Sequence, residues 1–518
     1  MFLWKKCRFC DTIWKMVVAM ELTKKSFILF ILTIILLPLF GNESLNAYLH
    51  ISSLVTIVNY LIPGLLCLFL IVDMIKQKKF PKLEFNLFAT ILFWIILILS
   101  FIFSITHQIF NFSNLFKFGC MTFILFIIKD INFTEKEKKL ICYSLIGIAS
   151  IISIIGILQY MFQISLNVSG IEKYIGALGR INSTTYIATL LDKYLALNIF
   201  LVLFFMYKKW FNIYLLSSAL LLYILALAFT FSRSGLLIFI FISIFFFILF
   251  LFKKQFINSL IILIFAIGMY FIPGENFVYS SLAKYLINIG SSISEKTNIS
   301  FVDKTFNFFL SPFVIDIYDY YEKENNNTSN NNDNSSNIGK PIGNNNSNPT
   351  IDSSVDDTKK PAQNYDDIDI QLKENIDYSL NSRSYYQTIA KHIMKQYWQY
   401  GIGIGSYTHI YNNQNVNDYL ENTKFNYDFR YPHNMYYQLG AETGIFGLIF
   451  FFINFIYMLV KSSFKNKTLI PILLCICILL ICYTESVFYM KDIAYFTIII
   501  IGLFSNNSFL KNKSNNLK

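Results

Sequence analysis

Charged residues are scarce in this chain of 518 residues. Asp, Glu, Lys and Arg make up 14% of it, against 55% hydrophobic residues, whereas soluble domains carry about a quarter charged residues. The mean hydropathy is correspondingly positive. This shortage of charge argues against an ordinary soluble globular protein and predicts a chain that lies largely in lipid.

The cysteines do not predict a disulfide framework outside the membrane. None of the eight cysteines lies in the long polar block 273–432, so this block is not a disulfide scaffold. Cys7 and Cys10 form one C-x-x-C, but a zinc site needs four ligands, and no second Cys or His pair is expected on the same side. We therefore expect no zinc site at these cysteines. For the chain as a whole we predict no cofactor and no metal ligands.

Long apolar stretches occupy most of the remaining chain. Runs of about 18 or more apolar residues form membrane-spanning helices, because only a helix satisfies its own backbone in lipid. Lys24 and Lys25 before the first run, and the lack of an A-x-A site, predict a retained helix rather than a cleaved signal peptide. We expect spans near 24–41, 51–73, 86–106, 109–128, 140–162, 186–207, 211–231, 234–252, 255–272, 434–460, 468–486 and 488–504.

The fold class that these runs predict is an all-α membrane protein with about 12 transmembrane helices and a large, partly helical extracytoplasmic loop. Residues 1–272 are expected to form a bundle of about nine helices, 273–432 the loop, 433–504 the C-terminal helices and 505–518 a cytoplasmic tail. Within the loop, 323–370 is rich in Asn, Asp and Ser and offers little apolar surface to bury, so we expect it to be disordered.

The positive charge is distributed to one side of this arrangement. The loop 273–432 holds 19 of the 32 acidic and 13 of the 43 basic residues. Its net charge is therefore −6, so the net charge of +11 does not indicate nucleic-acid binding. With twelve spans all basic clusters fall on one side, which the positive-inside rule makes cytoplasmic. They are Lys5/Lys6/Arg8/Lys15, Lys76/Lys78/Lys79/Lys82, Lys136/Lys138/Lys139, Lys208/Lys209, Lys253/Lys254, Lys461/Lys465/Lys467 and Lys511/Lys513.

The last part of the loop regains a helical pattern. Apolar and aromatic residues recur at helical spacing from Tyr385 to Trp398, and the opposite face carries Gln387, Lys391, His392 and Lys395. This amphipathic helix either packs on the core of the loop or lies on the bilayer. Glycines at 401, 403 and 405 end it.

Four charged or titratable residues are expected at the outer ends of spans. They are Arg180 before the sixth span, Arg233 between the seventh and eighth, Arg383 at the start of the amphipathic helix and His433 before the tenth. Arg presents a fork of donors that suits phosphate oxygens, and His takes up a proton near neutral pH. Each also has a plain alternative, namely lipid anchoring, solvation or helix capping.

Three nearby features receive structural interpretations. Glu442 lies nine residues after His433, about half a turn out of phase on a straight helix, so we expect it to pair with a polar neighbour inside the bundle. Gly440, Gly444 and Gly447 are spaced as a small-residue face for close helix packing. Asp192 and Lys193 lie inside the sixth span and, being adjacent, are not expected to form an ion pair.

The residues together resemble a family. The string PHNMYYQLGAETGIFG at 432–447 resembles the H-N…E-x-G-x-x-G segment of the O-antigen ligase/polymerase family, whose members are polytopic bacterial glycan ligases and polymerases. TFSRSG at 230–235 resembles its S-R-[ST]-G outer turn. Ser382-Arg383 followed by GIGIG at 401–405 resembles its loop-helix Arg and later G-x-G. Order, spacing and span layout agree over roughly 175–455.

This resemblance implies a membrane glycosyltransferase of cell-surface polysaccharide biosynthesis, acting at the outer face of the bacterial cytoplasmic membrane with both termini inside. The donor would be a polyprenyl-diphosphate-linked glycan and the acceptor another glycan, a lipid or a protein. By the same resemblance, Arg233, Arg383 and Arg180 bind the diphosphate and His433 activates the acceptor hydroxyl, with Asn434, Glu442, Gly403 and Gly405 in supporting positions.

The diphosphate leaving group carries the activation energy, so no nucleotide is needed, and arginines can meet its developing charge in place of a metal. The alternative function is a transporter or flippase for lipid-linked oligosaccharide. That class needs charged or broken helices near the membrane midplane, whereas the charged candidates of this chain are expected at the outer boundary.

Overall fold

The computed structural model describes residues 21–40, 55–78, 85–103, 109–162, 181, 183–185, 188–270, 383–384, 386–408 and 431–510. The chain divides into one compact unit made of Met1–Met269 and Ser382–Lys518 and a second made of Tyr270–Asn381. Apart from Tyr270, the described residues belong to the first unit. The expectations for Arg180 and for the Asn-rich stretch 323–370 lie outside the described residues.

The regular elements in these ranges are helices. They are α1 Lys24–Phe40, α2 Ile62–Gln77, α3 Phe85–Ile102, α4 Ile109–Ile128, α5 Glu135–Phe162, α6 Ala188–Lys208, α7 Ile213–Ala228, α8 Arg233–Phe252, α9 Phe256–Tyr270, α10 over residues 386–396, α11 Met435–Asn466, α12 Ile470–Thr484, α13 Lys491–Ser505 and α14 Asn507–Leu510. A π-helical turn, Ile57–Leu61, precedes α2, and a 3₁₀ turn, Val487–Tyr489, precedes α13.

Each predicted apolar run coincides with a helix, which confirms a helical membrane protein in the part of the chain that the structure describes. Among the described residues, five helices are long and apolar enough to cross a membrane, and six further apolar helices are shorter. The count of twelve spans and the large outer loop stay predictions.

Helix α6 forms the centre of the bundle. Its side chains from Ala188 to Met206 are buried, and it packs against α5, α7, α8, α12 and α13. A helix that is apolar on all sides is stable only when it is surrounded. The polar residues that it carries, Asp192, Lys193 and Asn198, must therefore find partners inside the protein.

Helix α11 is broken at Gly444, where φ is 70° and ψ is −178°. This corrects the predicted glycine face, because the break changes the direction of the residues that come after it. Gly440 lies against Met394, and a Cβ at Gly444 would approach Gln399 O at 2.3 Å. At Gly447, a Cβ would instead contact the side chain of Thr443, at 2.3 Å. The three glycines therefore serve three separate close contacts rather than one face against a neighbouring helix.

The segment 397–405 fills this break in α11. Ile402 N donates to Ala441 O and Gly403 N to Glu442 O, both at 3.0 Å, and Ile445 N donates to Trp398 O at 2.8 Å. A helix break frees backbone groups that must be paired when they are buried. The glycine-rich segment supplies these partners, so it belongs to the membrane bundle rather than to a separate loop domain.

Helix α10 packs on the same place, which decides between the two alternatives left open by its sequence. Ile389, Ala390 and Ile393 form a buried cluster with Ile402 and Tyr407, which also includes Ala441. The predicted polar face points outward, with Lys391, His392 and Lys395 exposed. The helix thus lies against α11.

The ends of the helices fall on two faces of the bundle. The starts of α6 and α8 meet through Lys193 and Ser234, and the start of α11 meets the end of α12 through His433 and Glu485. The charge of Lys193 also acts on Glu485, so these ends share one face. Lys208 at the end of α6 donates to Leu510 O at 3.3 Å on the opposite face. The basic clusters at 136–139, 208–209, 253–254 and 461–467 lie at this opposite end, so the charge asymmetry of the sequence separates the two ends of the folded bundle.

Replacing Gly444 by Ala should destabilise the protein by about 2 kcal/mol or more, because the residue has a positive φ and the added Cβ would overlap a backbone oxygen. The measurement is thermal or denaturant unfolding in detergent micelles. Gly147→Ala in α5 is the matched control, since a Cβ there meets nothing within 4 Å. Equal stability of the two variants would show that Gly444 is dispensable for the break.

Candidate functional site

His433 lies immediately before α11, in a backbone conformation that only a few non-glycine residues adopt. Its φ is +49°, and such conformations are maintained by surrounding contacts and cluster at functional sites. The next residue, Asn434, caps α11. Its Oδ1 accepts from Tyr436 N at 3.0 Å and from Tyr437 N at 3.2 Å. Its Nδ2 donates to Tyr483 O at 3.0 Å, so the cap also joins α11 to the end of α12.

The imidazole of His433 is held by a carboxylate that sequence reasoning missed. Nδ1 lies 3.0 Å and 3.1 Å from the two carboxylate oxygens of Glu485. The Glu485 side chain is fully buried, whereas that of His433 is 22% exposed. Among the described residues Glu485 is the hydrogen-bond partner of the ring, and this contact engages Nδ1.

The surroundings of Glu485 favour the ionised form of its buried carboxyl group. Burial alone raises the pKa of its carboxyl group, but the positive charge and hydrogen bond of His433, followed by the charges of Arg383 and Lys193, lower the pKa to about 2. Ser486 N also donates to it, at 3.2 Å. A buried carboxylate beside a histidine fixes the orientation of the ring and stabilises its protonated form.

A sequence signal for Glu485 did exist. It is an acidic residue at the end of an apolar run, and a charged residue near membrane depth indicates function. Its partner could not be deduced, because 52 residues separate it from His433 and no local pattern connects them. Lys117 was also passed over. It is buried in α4 and donates to Tyr489 O at 2.9 Å.

Glu442 holds the glycine-rich segment and does not touch His433, as predicted. Its carboxylate accepts from Gly405 N at 2.7 Å, from Tyr407 N at 3.1 Å and from the hydroxyl of Tyr489. Gly405 has a φ of +78°, and a Cβ there would lie 2.3 Å from Asn114. Gly403 and Gly405 thus provide the close backbone approach by which the segment reaches Glu442.

Arg383 begins the helical segment that leads into α10 and is partly buried. Its charge acts on Glu485, so the predicted diphosphate ligand and the His433–Glu485 pair share one electrostatic environment. The hydroxyl of Tyr407 donates to Tyr386 O at 2.6 Å, which connects the start of α10 to the segment fixed by Glu442. The position of Arg383 therefore depends on the same contacts that fill the break in α11.

Arg233 is the first residue of α8, in a turn that the buried residues of α6 hold. Ser232 caps the helix and donates to Asp192, whereas Lys193 Nζ donates to Ser234 Oγ at 2.6 Å. Asp192 and Lys193 form an ion pair of 2.8 Å, with both side chains fully buried. The prediction that they do not pair was wrong, because the long lysine chain reaches back to its neighbour and both side chains are fully buried.

The structure leaves the surroundings of Arg180 undescribed. The next residue in the chain, Ile181, donates its N–H to Phe229 O at 3.2 Å, just before the Arg233 turn. Within the described residues, no group of three or more His, Cys, Asp or Glu side chains is placed to hold a metal ion.

Part of the chain matches the model of a known protein family. Residues 217–452 match the family model described as O-Antigen ligase. This range contains Arg233, Arg383, His433 and Glu442 but neither the Asp192–Lys193 pair nor Glu485. A search of the curated proteins finds no match.

Replacing Glu485 by Gln should lower the free energy of unfolding at neutral pH. Folding lowers the pKa of Glu485 from its ordinary 4.5 to about 2. Its charge therefore stabilises the protein above pH 4.5, and this contribution is lost as the pH falls towards 2. The shift corresponds to about 3 kcal/mol.

The measurement is the free energy of unfolding in micelles at several pH values. The decline between pH 4.5 and 2 should be steep in the wild type and shallower in Glu485→Gln. Glu135→Gln serves as a control, because Glu135 pairs with Lys138 while 48% exposed, and exposed pairs contribute at most about 1 kcal/mol. Parallel pH curves for the wild type and Glu485→Gln would contradict the assignment.

Proposed function

We propose that this chain, whose residues 217–452 match the O-antigen ligase family model, is a member of that family and transfers glycan from a polyprenyl-diphosphate-linked donor to an acceptor hydroxyl. The family match supports a membrane protein of glycan assembly. The single observation that carries the proposed chemistry is the His433–Glu485 pair, with Nδ1 at 3.0 Å from the carboxylate, set beside the charge of Arg383.

His433 is the general base of the proposed reaction. Glu485 engages Nδ1, which directs Nε2 towards the substrate. The acceptor oxygen attacks the anomeric carbon of the donor sugar, and Nε2 takes the proton from the acceptor hydroxyl. The imidazolium that forms is stabilised by the buried carboxylate. General-base assistance of this kind contributes about 10²–10⁴-fold to the rate.

The bond between the anomeric carbon and the diphosphate breaks as the new glycosidic bond forms. The diphosphate leaves with the bonding electrons, and Arg233 and Arg383 stabilise its negative charge through charge-assisted hydrogen bonds. The step needs no oxidant, nucleotide or metal, because the leaving group is already activated. Arg180 is proposed as a third ligand of the same diphosphate.

The proposed site faces the outside of the cytoplasmic membrane. The basic clusters at the opposite end of the bundle favour a cytoplasmic location for that end, which directs His433 and both described arginines outward. Donors carried on polyprenyl diphosphate are lipid-embedded, so a site at a helix-bundle end meets their diphosphate at the level of the headgroups. Glycans, lipids and proteins are acceptor classes that all fit this chemistry.

His433→Gln should abolish nearly all transfer while the protein remains inserted and binds the donor. Glutamine keeps a hydrogen-bonding group but cannot accept the proton. The assay uses purified protein, lipid-linked donor, acceptor and EDTA, with product resolved by gel or mass spectrometry. His392→Gln on the exposed side of α10 is the matched control and should retain wild-type turnover. Turnover near the wild type in His433→Gln would remove the base assignment, and a complete block of the wild type by EDTA would overturn the metal-free mechanism.

Arg233→Lys should be nearly as damaging as Arg233→Ala. Lysine keeps the charge but loses the planar fork that binds two phosphate oxygens at once. Transfer is measured at saturating and at limiting donor, with protein amount matched. If Arg233 only anchored the helix end among lipid headgroups, lysine would replace it without loss. Full activity of the lysine variant would therefore support anchoring and count against diphosphate binding.

A further inference from the structure

The ion pair of α6 sits directly behind the Arg233 turn and lies outside the matched region of the family. Asp192 and Lys193 are both 0% exposed, with Nζ 2.8 Å from Oδ2. They belong to a helix whose other side chains are almost all apolar. Burying two charges is costly, and well-packed apolar residues often give equal or better stability. A buried pair at this place therefore calls for a reason other than stability alone.

The pair contacts both residues that flank Arg233. Asp192 Oδ2 accepts from the hydroxyl of Ser232, and Lys193 Nζ donates to Ser234 Oγ at 2.6 Å. Ser234 Oγ also donates to Asp192 Oδ2, at 3.3 Å. Two adjacent residues of α6 thus hold the residues before and after Arg233.

Helices α6 and α8 also pack closely at Gly235, the residue after Ser234. A Cβ at Gly235 would lie 2.7 Å from Asp192 Cβ and 2.9 Å from its Oδ2. Only glycine lets the first turn of α8 approach the carboxylate this closely. Gly235 N donates to Ser232 Oγ at 3.4 Å, so the helix cap and the contact with Asp192 share one hydroxyl.

The turn itself requires support. Phe231 has a φ of +46°, a conformation that is strained for an aromatic residue and persists only when its surroundings enforce it. The ring of Tyr160 stacks on that of Phe229 with centroids 3.9 Å apart. The backbone before Arg233 is therefore held by an aromatic stack as well as by the contacts of the ion pair.

We propose that Asp192 and Lys193 act as positioning residues for Arg233, fixing the direction in which its guanidinium meets the diphosphate of the lipid-linked donor. The inference rests on the proposed function, in which Arg233 binds that diphosphate. Because the pair carries no net charge, it holds the turn without adding to or cancelling the charge that Arg233 presents. The opposite charges also orient the two hydroxyls of the turn, because both Ser232 and Ser234 donate to Asp192 and Ser234 in addition accepts from Lys193.

Ser232→Ala is the first test, because it removes one contact of the pair without leaving an unpaired buried charge. Donor binding should weaken by about tenfold, as expected for the loss of a hydrogen bond to a charged group. The donor KM should rise, the KM for the acceptor should stay unchanged, and Ser232→Thr should restore the donor KM. Ser243→Ala is the matched control, because Ser243 is a buried serine of the same helix. This substitution should leave donor binding, the donor KM and the acceptor KM unchanged.

The double variant Asp192→Asn/Lys193→Met tests the pair itself and keeps the site free of net charge. Its donor KM should rise at least as much as that of Ser232→Ala. A coupling cycle with Arg233→Lys separates positioning from general weakening of the fold. If the pair acts through Arg233, Ser232→Ala should add little to the defect of Arg233→Lys; two independent effects would multiply.

The outcomes distinguish this inference from the proposed function. If Arg233→Lys and Arg233→Ala keep the wild-type donor KM, diphosphate binding by Arg233 fails and the inference loses its premise. If Arg233→Lys is impaired while Ser232→Ala and the double variant keep the wild-type donor KM, the inference alone is overturned. A fall in unfolding temperature with unchanged donor KM would likewise assign the pair a purely structural role.

Discussion

The site depends on one buried carboxylate more than on any other group. Glu442 accepts hydrogen bonds from Gly405 N, Tyr407 N and the hydroxyl of Tyr489. Through these three donors it joins the broken helix α11, the glycine-rich segment and the turn that precedes α13. In the membrane interior an unpaired carboxylate is costly, so the three partners and Glu442 require one another. This association places α10, the helix that follows Arg383, next to the start of α11, which follows His433.

A second constraint acts through the segment 485–489. Its first residue, Glu485, holds His433, and its last, Tyr489, holds Glu442. The contact with His433 lies just before the first turn of α11, and the contact with Glu442 lies in the turn that precedes the break. His433 is thus oriented by a carboxylate whose own backbone is fixed to the centre of the bundle. This arrangement explains how His433 keeps its left-handed backbone conformation although it lies at the partly exposed start of a helix.

The charged groups around His433 balance one another across several helices. Glu485 lies near His433, Arg383 and Lys193, and Lys193 pairs with Asp192. Each of these buried charges therefore has a partner of opposite sign, which low dielectric surroundings demand. Arg233 and Arg383 add positive charge at the same end of the bundle, and the proposed diphosphate would complement this charge.

The sequence by itself determined the helical membrane class, the positions of the apolar helices, the separation of basic clusters from His433 and the amphipathic face of α10. These features arise from composition and periodicity, which are local properties. The sequence also indicated that Glu442 does not orient His433, because the relative direction of two residues on one helix follows from their spacing, which is local too. Only the tertiary structure decided that Gly444 breaks α11, that Asp192 pairs with Lys193 and that Glu485 holds His433. Those contacts join residues that are distant in the chain or depend on burial, because a group excluded from water takes whichever partner the folded chain places within reach.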